Sequence, residues 1–181
     1  MRKEIPINIA YRLINHGPLV LVTSLFKGRI GVTPIAWLMP ISDEPPIVAL
    51  EIWEGHFIYK AILDTGDFVI NIPSSEMADL VRKLGSVSGR KINKVKEYDL
   101  KMEPARKIKS PRVKDAIGII ECKARKDKRL ADKYNIILGD CVYAEAEKGV
   151  FSDRWHPERH GPKTIHHLGG KIFCVPDSKI I

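Results

Sequence analysis

The sequence predicts a mainly β fold, an antiparallel barrel with short inserted helices. Five or six short runs of apolar and β-branched residues are separated by turn residues. These runs do not alternate with helical segments in the rhythm that a doubly wound parallel sheet requires. Of the 181 residues, 44% are hydrophobic and 29% are charged, which is an ordinary globular composition without a break. We therefore expect residues 1–181 to form a single domain.

The first strands form a predicted hairpin. An apolar, β-branched run at 19–26 is closed by a Lys-Gly turn at 27–28, and a second strand follows at 30–37. The Ser-Asp-Glu-Pro-Pro segment at 42–46 is predicted to be a loop, because prolines cannot donate to a strand ladder. The next strand is expected at 47–52.

Two short helices flank a predicted strand at 68–72. Apolar residues recur at helical spacing within 57–62, and a Thr-Gly pair at 65–66 supplies a left-handed end. The second helix follows a Pro-Ser-Ser-Glu segment, which offers a hydroxyl cap and a first-turn acid. Its apolar stripe covers 77–84 and stops at a glycine.

The second half of the chain begins with a charged segment. Residues 86–115 contain few apolar residues, so we expect a long excursion outside the core. Strands are predicted at 117–126 and 136–146, and the polar segment 127–135 should link them as a hairpin.

Several classes of protein are disfavoured by composition. The apolar runs are far shorter than the roughly 20 residues of a membrane helix, and the charged first residues lead into no secretory signal. A cytoplasmic location and no membrane partner are therefore expected. Three cysteines without a Cys-x-x-Cys motif predict mostly buried thiols, not a disulfide framework or a zinc knuckle.

The net charge of +8 is concentrated in one part of the chain. Residues 82–133 contain 18 Lys and Arg against 7 Asp and Glu. Such a segment can attract nucleic acid, an anionic cofactor or an acidic protein, or it can be a solvated surface without a specific partner. The sequence disfavours nucleic acid as the partner, since Tyr98 within the segment and Tyr134 directly after it are the only aromatic residues there for stacking.

The segment Gly-Ser-Val-Ser-Gly-Arg-Lys at 85–91 is the best candidate for phosphate binding. It does not match the P-loop, and no Gly-x-Gly-x-x-Gly exists that would indicate a Rossmann nicotinamide site. Its two hydroxyls and two adjacent cations suit a phosphate group, although an exposed helix-exit loop would have the same sequence. No metal site is expected at the histidine pairs 156/160 and 166/167, because prolines and a glycine disfavour a helix through the first pair and no carboxylate or thiolate completes a recognisable ligand set.

Five motifs resemble a known family in their order along the chain. They are Thr33-Pro-Ile-Ala-Trp-Leu-Met-Pro-Ile-Ser42 before Asp-Glu-Pro-Pro, Gly66-Asp-Phe-Val-Ile-Asn-Ile-Pro73, Ser88-Gly89-Arg90 with Lys94, Tyr134-Asn-Ile-Ile-Leu-Gly-Asp140, and His167-Leu-Gly-Gly170. From about residue 11 to 173, the chain resembles the flavin reductase-like (flavoredoxin) family. The resemblance implies an FMN-binding split β-barrel that works as a homodimer, with the flavin near the subunit interface.

The implied function is oxidoreduction through bound FMN. The electron donor would be NAD(P)H or an electron-transfer protein, and no catalytic side chain is required because the flavin supplies the chemistry. An electron carrier without turnover is an alternative, and a basic nucleic-acid-binding barrel is an alternative from a different class.

The resemblance also implies which residues contact the cofactor. The backbone of an irregular strand would recognise the flavin ring, and a serine hydroxyl would lie near its O4/N5 edge. A helix start and the basic loop would bind the phosphate or ribityl chain, and a late segment would close over the flavin. Where the family has a threonine, this chain has Ile58, so one phosphate contact is missing. The cofactor-binding residues predicted in this way are Thr33, Pro34, Ile35, Ala36, Trp37, Ser42, His56, Phe57, Ser88, Arg90, Lys91, Lys94, His167 and Gly169.

Overall fold

A computed structural model describes residues 1–125 and 127–180. Lys126, at the end of a predicted strand, and Ile181, at the end of the predicted domain, lie outside the described residues. The strands are β1 (Arg2–Glu4), β2 (Val20–Phe26), β3 (Arg29–Ile35), β4 (Leu38–Asp43), β5 (Pro46–Glu51), β6 (Asp67–Ile72), β7 (Met102–Glu103), β8 (Arg112–Val113), β9 (Gly118–Ala124), β10 (Ile136–Glu147), β11 (His166–Gly169) and β12 (Ile172–Cys174).

Short helices are inserted between the strands. They are α1 (Phe57–Thr65), α2 (Ala78–Ser86), α3 (Lys94–Glu97) and α4 (Lys128–Tyr134), with 3-10 helices at Ile7–Leu13 and Ser75–Met77. Within the described ranges, we find no helix with the length and apolar character that a membrane crossing needs.

An eight-stranded antiparallel sheet is the centre of the fold. Its order is β3-β2-β6-β9-β10-β5-β4, and β1 pairs with the second half of β10. The sheet surrounds an apolar cluster that includes Leu50, Phe68 and Ile120, all fully buried. A mainly β fold with short helices is therefore confirmed. The strands β3 and β4 end the order of the sheet, and each of them pairs with a single neighbour among the described residues.

Two local predictions are confirmed in detail. The β2–β3 hairpin turns at Lys27 and Gly28, whose φ angles of 48° and 76° are those of a turn that matches strand twist. The first helix ends at Gly66, which has a φ of 78° and donates its N–H to the Ile62 carbonyl at 2.8 Å.

The predicted loop at 42–46 is wrong, since this segment contains the end of β4 and the start of β5. Only Glu44 and Pro45 lie between the paired residues Asp43 and Pro46. Pro46 is tolerated because it occupies the first position of its strand. The strand before β4 is β3. It ends at Ile35, two residues earlier than the predicted end at residue 37.

The linker between β9 and β10 contains a helix that the sequence analysis missed. These two strands do pair antiparallel, as predicted. The intervening residues form α4, whose Asp127 side chain accepts a hydrogen bond from the Leu130 N–H at 3.3 Å. Asn135, with a φ of 56°, ends the helix in the left-handed conformation. A short polar helix with a cap resembles a loop in composition.

The charged segment 86–115 is not excluded from the core. Leu100 and Val113 are buried in a second apolar cluster that also includes Val81 and Leu84 of α2. The expectation of an excursion outside the core is therefore wrong for this part of the segment. Polar side chains of β6 hold the segment in place, since the Asn71 side-chain oxygen accepts the Val113 N–H at 2.7 Å.

Candidate functional site

Two adjoining cavities open beside the end of β3. We call the first the loop cavity; its volume is about 320 Å³, and it is lined by Thr33, Pro34, Trp53, Gly55, His56, Phe57, Gly85, Ser86, Val87, Ser88, Gly89 and Lys94. We call the second the hairpin cavity; its volume is about 480 Å³, and it is lined by Leu19, Pro34, Ala36, Trp37, Val81, Arg82, Gly85, Ser86, His167, Gly170, Lys171 and Phe173. Because Pro34, Gly85 and Ser86 line both, the two cavities lie side by side.

Most of the predicted cofactor-binding residues lie in these cavities. The loop cavity contains Thr33, Pro34, His56, Phe57, Ser88 and Lys94. The hairpin cavity contains Pro34, Ala36, Trp37 and His167. Segments that are distant in sequence therefore meet beside the end of β3.

Five predicted residues do not line either cavity. Ile35 is buried in the core, and Gly169 precedes a glycine that does line the hairpin cavity. Lys91 is exposed, and Arg90 is exposed with its guanidinium donating to the Glu54 carbonyl at 3.1 Å. Ser42 lies near the far end of β4, because that strand runs away from the cavities.

The N-terminus of α1 faces the loop cavity. His56 occupies the cap position, and its side chain makes no capping hydrogen bond, so the first-turn amides have no side-chain acceptor there. Burial lowers the pKa of His56, and the nearby cations Lys94 and Arg90 lower it further. His56 is therefore neutral at pH 7, and the positive end of the helix favours an anion.

Lys94 is the buried cation of the loop cavity. Its residue is only 4% exposed, and its Nζ donates to the Leu84 carbonyl near the end of α2 at 2.6 Å. Burial lowers the pKa of Lys94 to about 8. Within the described ranges no carboxylate lies within ion-pair distance of this ammonium, and Lys94 lines the loop cavity.

The loop that carries Ser88 is fixed by residues that the sequence analysis missed. Arg29 donates hydrogen bonds to the Gly89 and Ile92 carbonyls, and its guanidinium lies 4.7 Å from the centre of the Phe57 ring. A side chain at Gly89 would bring its Cβ to 3.2 Å from the Phe57 Cβ. The loop therefore packs closely on the start of α1, and a glycine permits that approach.

The edge of β3 offers main-chain groups to both cavities. Since β3 pairs only with β2 among the described residues, the groups on its other side are not used by the sheet. Pro34, whose carbonyl is on this unpaired side, and Ala36 directly after the strand line the cavities where the chain leaves the sheet. This arrangement fits recognition of a ligand by backbone groups.

The hairpin cavity contains three residues without a local sequence signal. Arg82 comes from α2, while Lys171 and Phe173 come from the β11–β12 hairpin. The Arg82 guanidinium lies 5.2 Å from the centre of the Phe173 ring. Trp53 was likewise missed in the loop cavity, where it packs edge to face on His56 at 5.5 Å between ring centres.

A larger cavity, of about 610 Å³, lies elsewhere in the molecule. It is lined by residues such as His16, Trp155 and Lys163 and includes none of the predicted cofactor-binding residues. The two smaller cavities are the stronger candidate because the sequence motifs converge on them.

Comparison with known proteins identifies the family. A model of the flavin reductase like domain matches residues 12–176, a range that includes every residue of both cavities. The chain belongs to this family. The uncharacterized protein YddH of Escherichia coli (strain K12) is 31% identical to this flavin reductase-like chain over 186 residues, covering 99% of the chain and 98% of YddH.

Solved structures share the fold. An FMN-binding domain of a flavin reductases-like enzyme from Shewanella baltica OS155 has a TM-score of 0.96 and 23% identity, covering 100% of this chain and 97% of that one. Flavoredoxin of Desulfovibrio vulgaris (Miyazaki F) has a TM-score of 0.78 and 19% identity, covering 91% of this chain and 89% of flavoredoxin. The predicted family and split-barrel fold are confirmed for this flavin reductase-like chain, and these FMN-binding and flavoredoxin neighbours agree with the predicted cofactor.

Proposed function

We propose that this protein is an FMN-dependent oxidoreductase that passes hydride or electrons through the bound flavin. The observation that carries the proposal is the loop cavity, where the Lys94 ammonium and the uncapped start of α1 converge. Both groups favour an anion such as the FMN phosphate.

The two adjoining cavities suit the two ends of FMN, its phosphate and its flavin ring. Their volumes of about 320 and 480 Å³ are within the range of small-molecule sites. The cationic loop cavity suits the phosphate, and the hairpin cavity, with Leu19, Trp37 and Val81 in its walls, suits an apolar ring. The β3 edge between them would orient the ring through its main-chain groups.

When bound, the flavin supplies the hydride and electron chemistry of the reaction. Lys94 holds the phosphate by charge, and Arg29 keeps the Ser88 loop against α1 so that its hydroxyl is positioned. Trp37 borders the ring-binding region as an apolar wall. The electron donor is NAD(P)H or an electron-transfer protein.

The purified protein tests this proposal directly. We expect it to be yellow, to release FMN on heating, and to show loss of oxidised-flavin absorbance when NADH or NADPH is added without oxygen. Reduction by a protein donor alone would indicate the carrier alternative. A colourless protein that takes up no FMN but binds DNA with a steep salt dependence would contradict the proposal and favour the nucleic-acid-binding barrel.

The edge strand β4 supports a homodimer. Trp37, Met39 and Ile41 are exposed by 73%, 55% and 47%, and they follow one another at the two-residue spacing of one strand face. An exposed apolar edge strand is otherwise a liability for aggregation. Since Trp37 also lines the hairpin cavity, a second copy on this strand would extend the cavity wall.

A charged substitution on β4 tests the dimer. Met39→Arg should produce a monomer in sedimentation velocity and should lower FMN occupancy, because the cavity then lacks the second copy. Leu63→Arg is the matched control, since Leu63 is an exposed apolar residue on α1 at 48%. Full FMN occupancy in a monomeric Met39→Arg protein would show that the site does not depend on the dimer.

A further inference from the structure

The hairpin cavity has two cations that FMN phosphate binding in the loop cavity does not use. Arg82 comes from α2, and Lys171 comes from the turn between β11 and β12. We infer that Arg82 and Lys171 bind an anionic group of the small molecule that exchanges hydride with the flavin. The inference rests on the proposed function, and it adds the charge of the substrate and the residues that recognise it.

The Arg82 guanidinium is held in place before any ligand arrives. Its Nε donates to the Lys171 carbonyl at 3.1 Å, its Nη1 bonds to Asp79, and its plane lies 5.2 Å from the centre of the Phe173 ring. Its Nη2 makes no hydrogen bond to any residue in the described ranges. A guanidinium fixed on one side with a free donor on the other loses little freedom when it binds an anion.

One exposed acid, Asp79, pairs with the Arg82 guanidinium. The Asp79 carboxylate is 86% exposed, so water screens its pairing with the guanidinium. Across residues 1–125 and 127–180, we find no carboxylate within 4.0 Å of the Lys171 ammonium. The cavity wall beside the cations includes Leu19, Val81 and Phe173.

This combination identifies the chemical class of the ligand. Apolar and aromatic walls favour a planar apolar body, and two cations favour a phosphate or carboxylate attached to it. Two sources share that chemistry: the phosphates of a pyridine-nucleotide donor and the carboxylate of an aromatic acceptor. The experiment distinguishes these sources by paired probes that differ in charge.

Arg82→Gln is tested in both half-reactions. In the first, flavin reduction is followed with NADH and with the uncharged donor 1-benzyl-1,4-dihydronicotinamide. In the second, flavin reduced by dithionite is reoxidised by 4-nitrobenzoate or by uncharged nitrobenzene. We expect about a tenfold or greater loss of apparent affinity for the charged member of one pair, as for a lost charge-assisted hydrogen bond, and no change for its uncharged member. The affected pair identifies the source of the anion.

Control variants separate substrate binding from other roles. Lys83→Gln removes an exposed charge from the same helix outside both cavities and should change nothing. Lys171→Gln should repeat the Arg82→Gln pattern, and both variants are assayed at saturating FMN because the two residues also line the cavity assigned to the flavin ring. Equal losses for charged and uncharged probes, no loss for either, or a loss confined to FMN affinity would overturn the inference. If no donor reduces the unmodified protein, that part of the proposed function fails, and the acceptor pair still decides the inference.

Discussion

Replacing Lys94 with methionine should weaken FMN binding by about tenfold to a hundredfold. This range corresponds to the roughly 1.5 to 3 kcal/mol of a hydrogen bond to a charged group. The effect should be large because the ammonium is buried in the loop cavity, where water screens it less than a surface charge. Binding is measured by titration of apoprotein with FMN and, in parallel, with riboflavin, which lacks the phosphate.

The control variant for this prediction is Lys96→Met. Lys96 is exposed on the same short helix, and its loss changes the net charge equally. Riboflavin affinity should be nearly unchanged in both variants. An equal loss for FMN and riboflavin in Lys94→Met would show that the residue only supports the end of α2 through its bond to Leu84.

The pH dependence of FMN binding should identify the same residue. The pKa of Lys94 is lowered to about 8, and a bound phosphate favours its protonated form. FMN affinity should therefore be highest near pH 7 and fall as the pH rises through about 8, where the free protein loses the proton. Lys94→Met should show no such fall. His56 does not contribute in this window, because its pKa is lowered from its ordinary value of 6.5.

The strands could be predicted from sequence because their signals are local, whereas the cofactor class followed from the resemblance of the ordered motifs to the flavin reductase-like family. Runs of β-branched residues indicate buried strands wherever they occur, and the Lys-Gly turn determines the pairing of β2 with β3. The β4 strand was missed because two prolines near its end suggested a loop. The α4 helix was missed because its residues are polar and its exposed position requires no apolar stripe.

The sequence indicated candidate site residues but not which of them contributes most to cofactor binding. The sequence could not rank Lys94 above Arg90, because the burial of Lys94 and its bond to Leu84 are properties of the folded chain. Arg82 and Lys171 could not be predicted together, since they are 89 positions apart and belong to no shared motif. Their proximity depends on how the β11–β12 hairpin packs against α2.

A buried group of charges joins the start of the chain to the segment before β9. Arg112 is 3% exposed, and its Nη2 lies 3.0 Å from the Glu103 carboxylate. Its Nη1 lies 3.1 Å from Glu145 and 3.5 Å from Glu121 without hydrogen-bond alignment to either, so attraction between charges dominates there. Arg2 of β1 pairs with Glu103 and with Glu145, the latter at 2.6 Å.

The charge balance of this group depends on Arg112. Three carboxylates surround two guanidiniums, and Glu121 is fully buried. Glu121 also accepts the backbone N–H groups of Arg106 and Lys107, both at 2.7 Å, which fixes it in the interior. Without Arg112, Arg2 alone would oppose three negative charges. Removing one partner of a buried ion pair is costly because the remaining charge has neither water nor a counter-ion.

Arg112→Met should therefore lower the free energy of unfolding by about 3 to 5 kcal/mol. Urea denaturation of apoprotein measures the loss, and Arg106→Met is the control because its exposed side chain carries the same charge. Adding Glu121→Gln to Arg112→Met should restore part of the stability, since one unpaired carboxylate is then removed. FMN affinity of the folded variant should be unchanged, because none of these residues lines either cavity. A loss no greater than that of the control would show that the group contributes little to folding, and a selective loss of FMN would show that it supports the cavities instead.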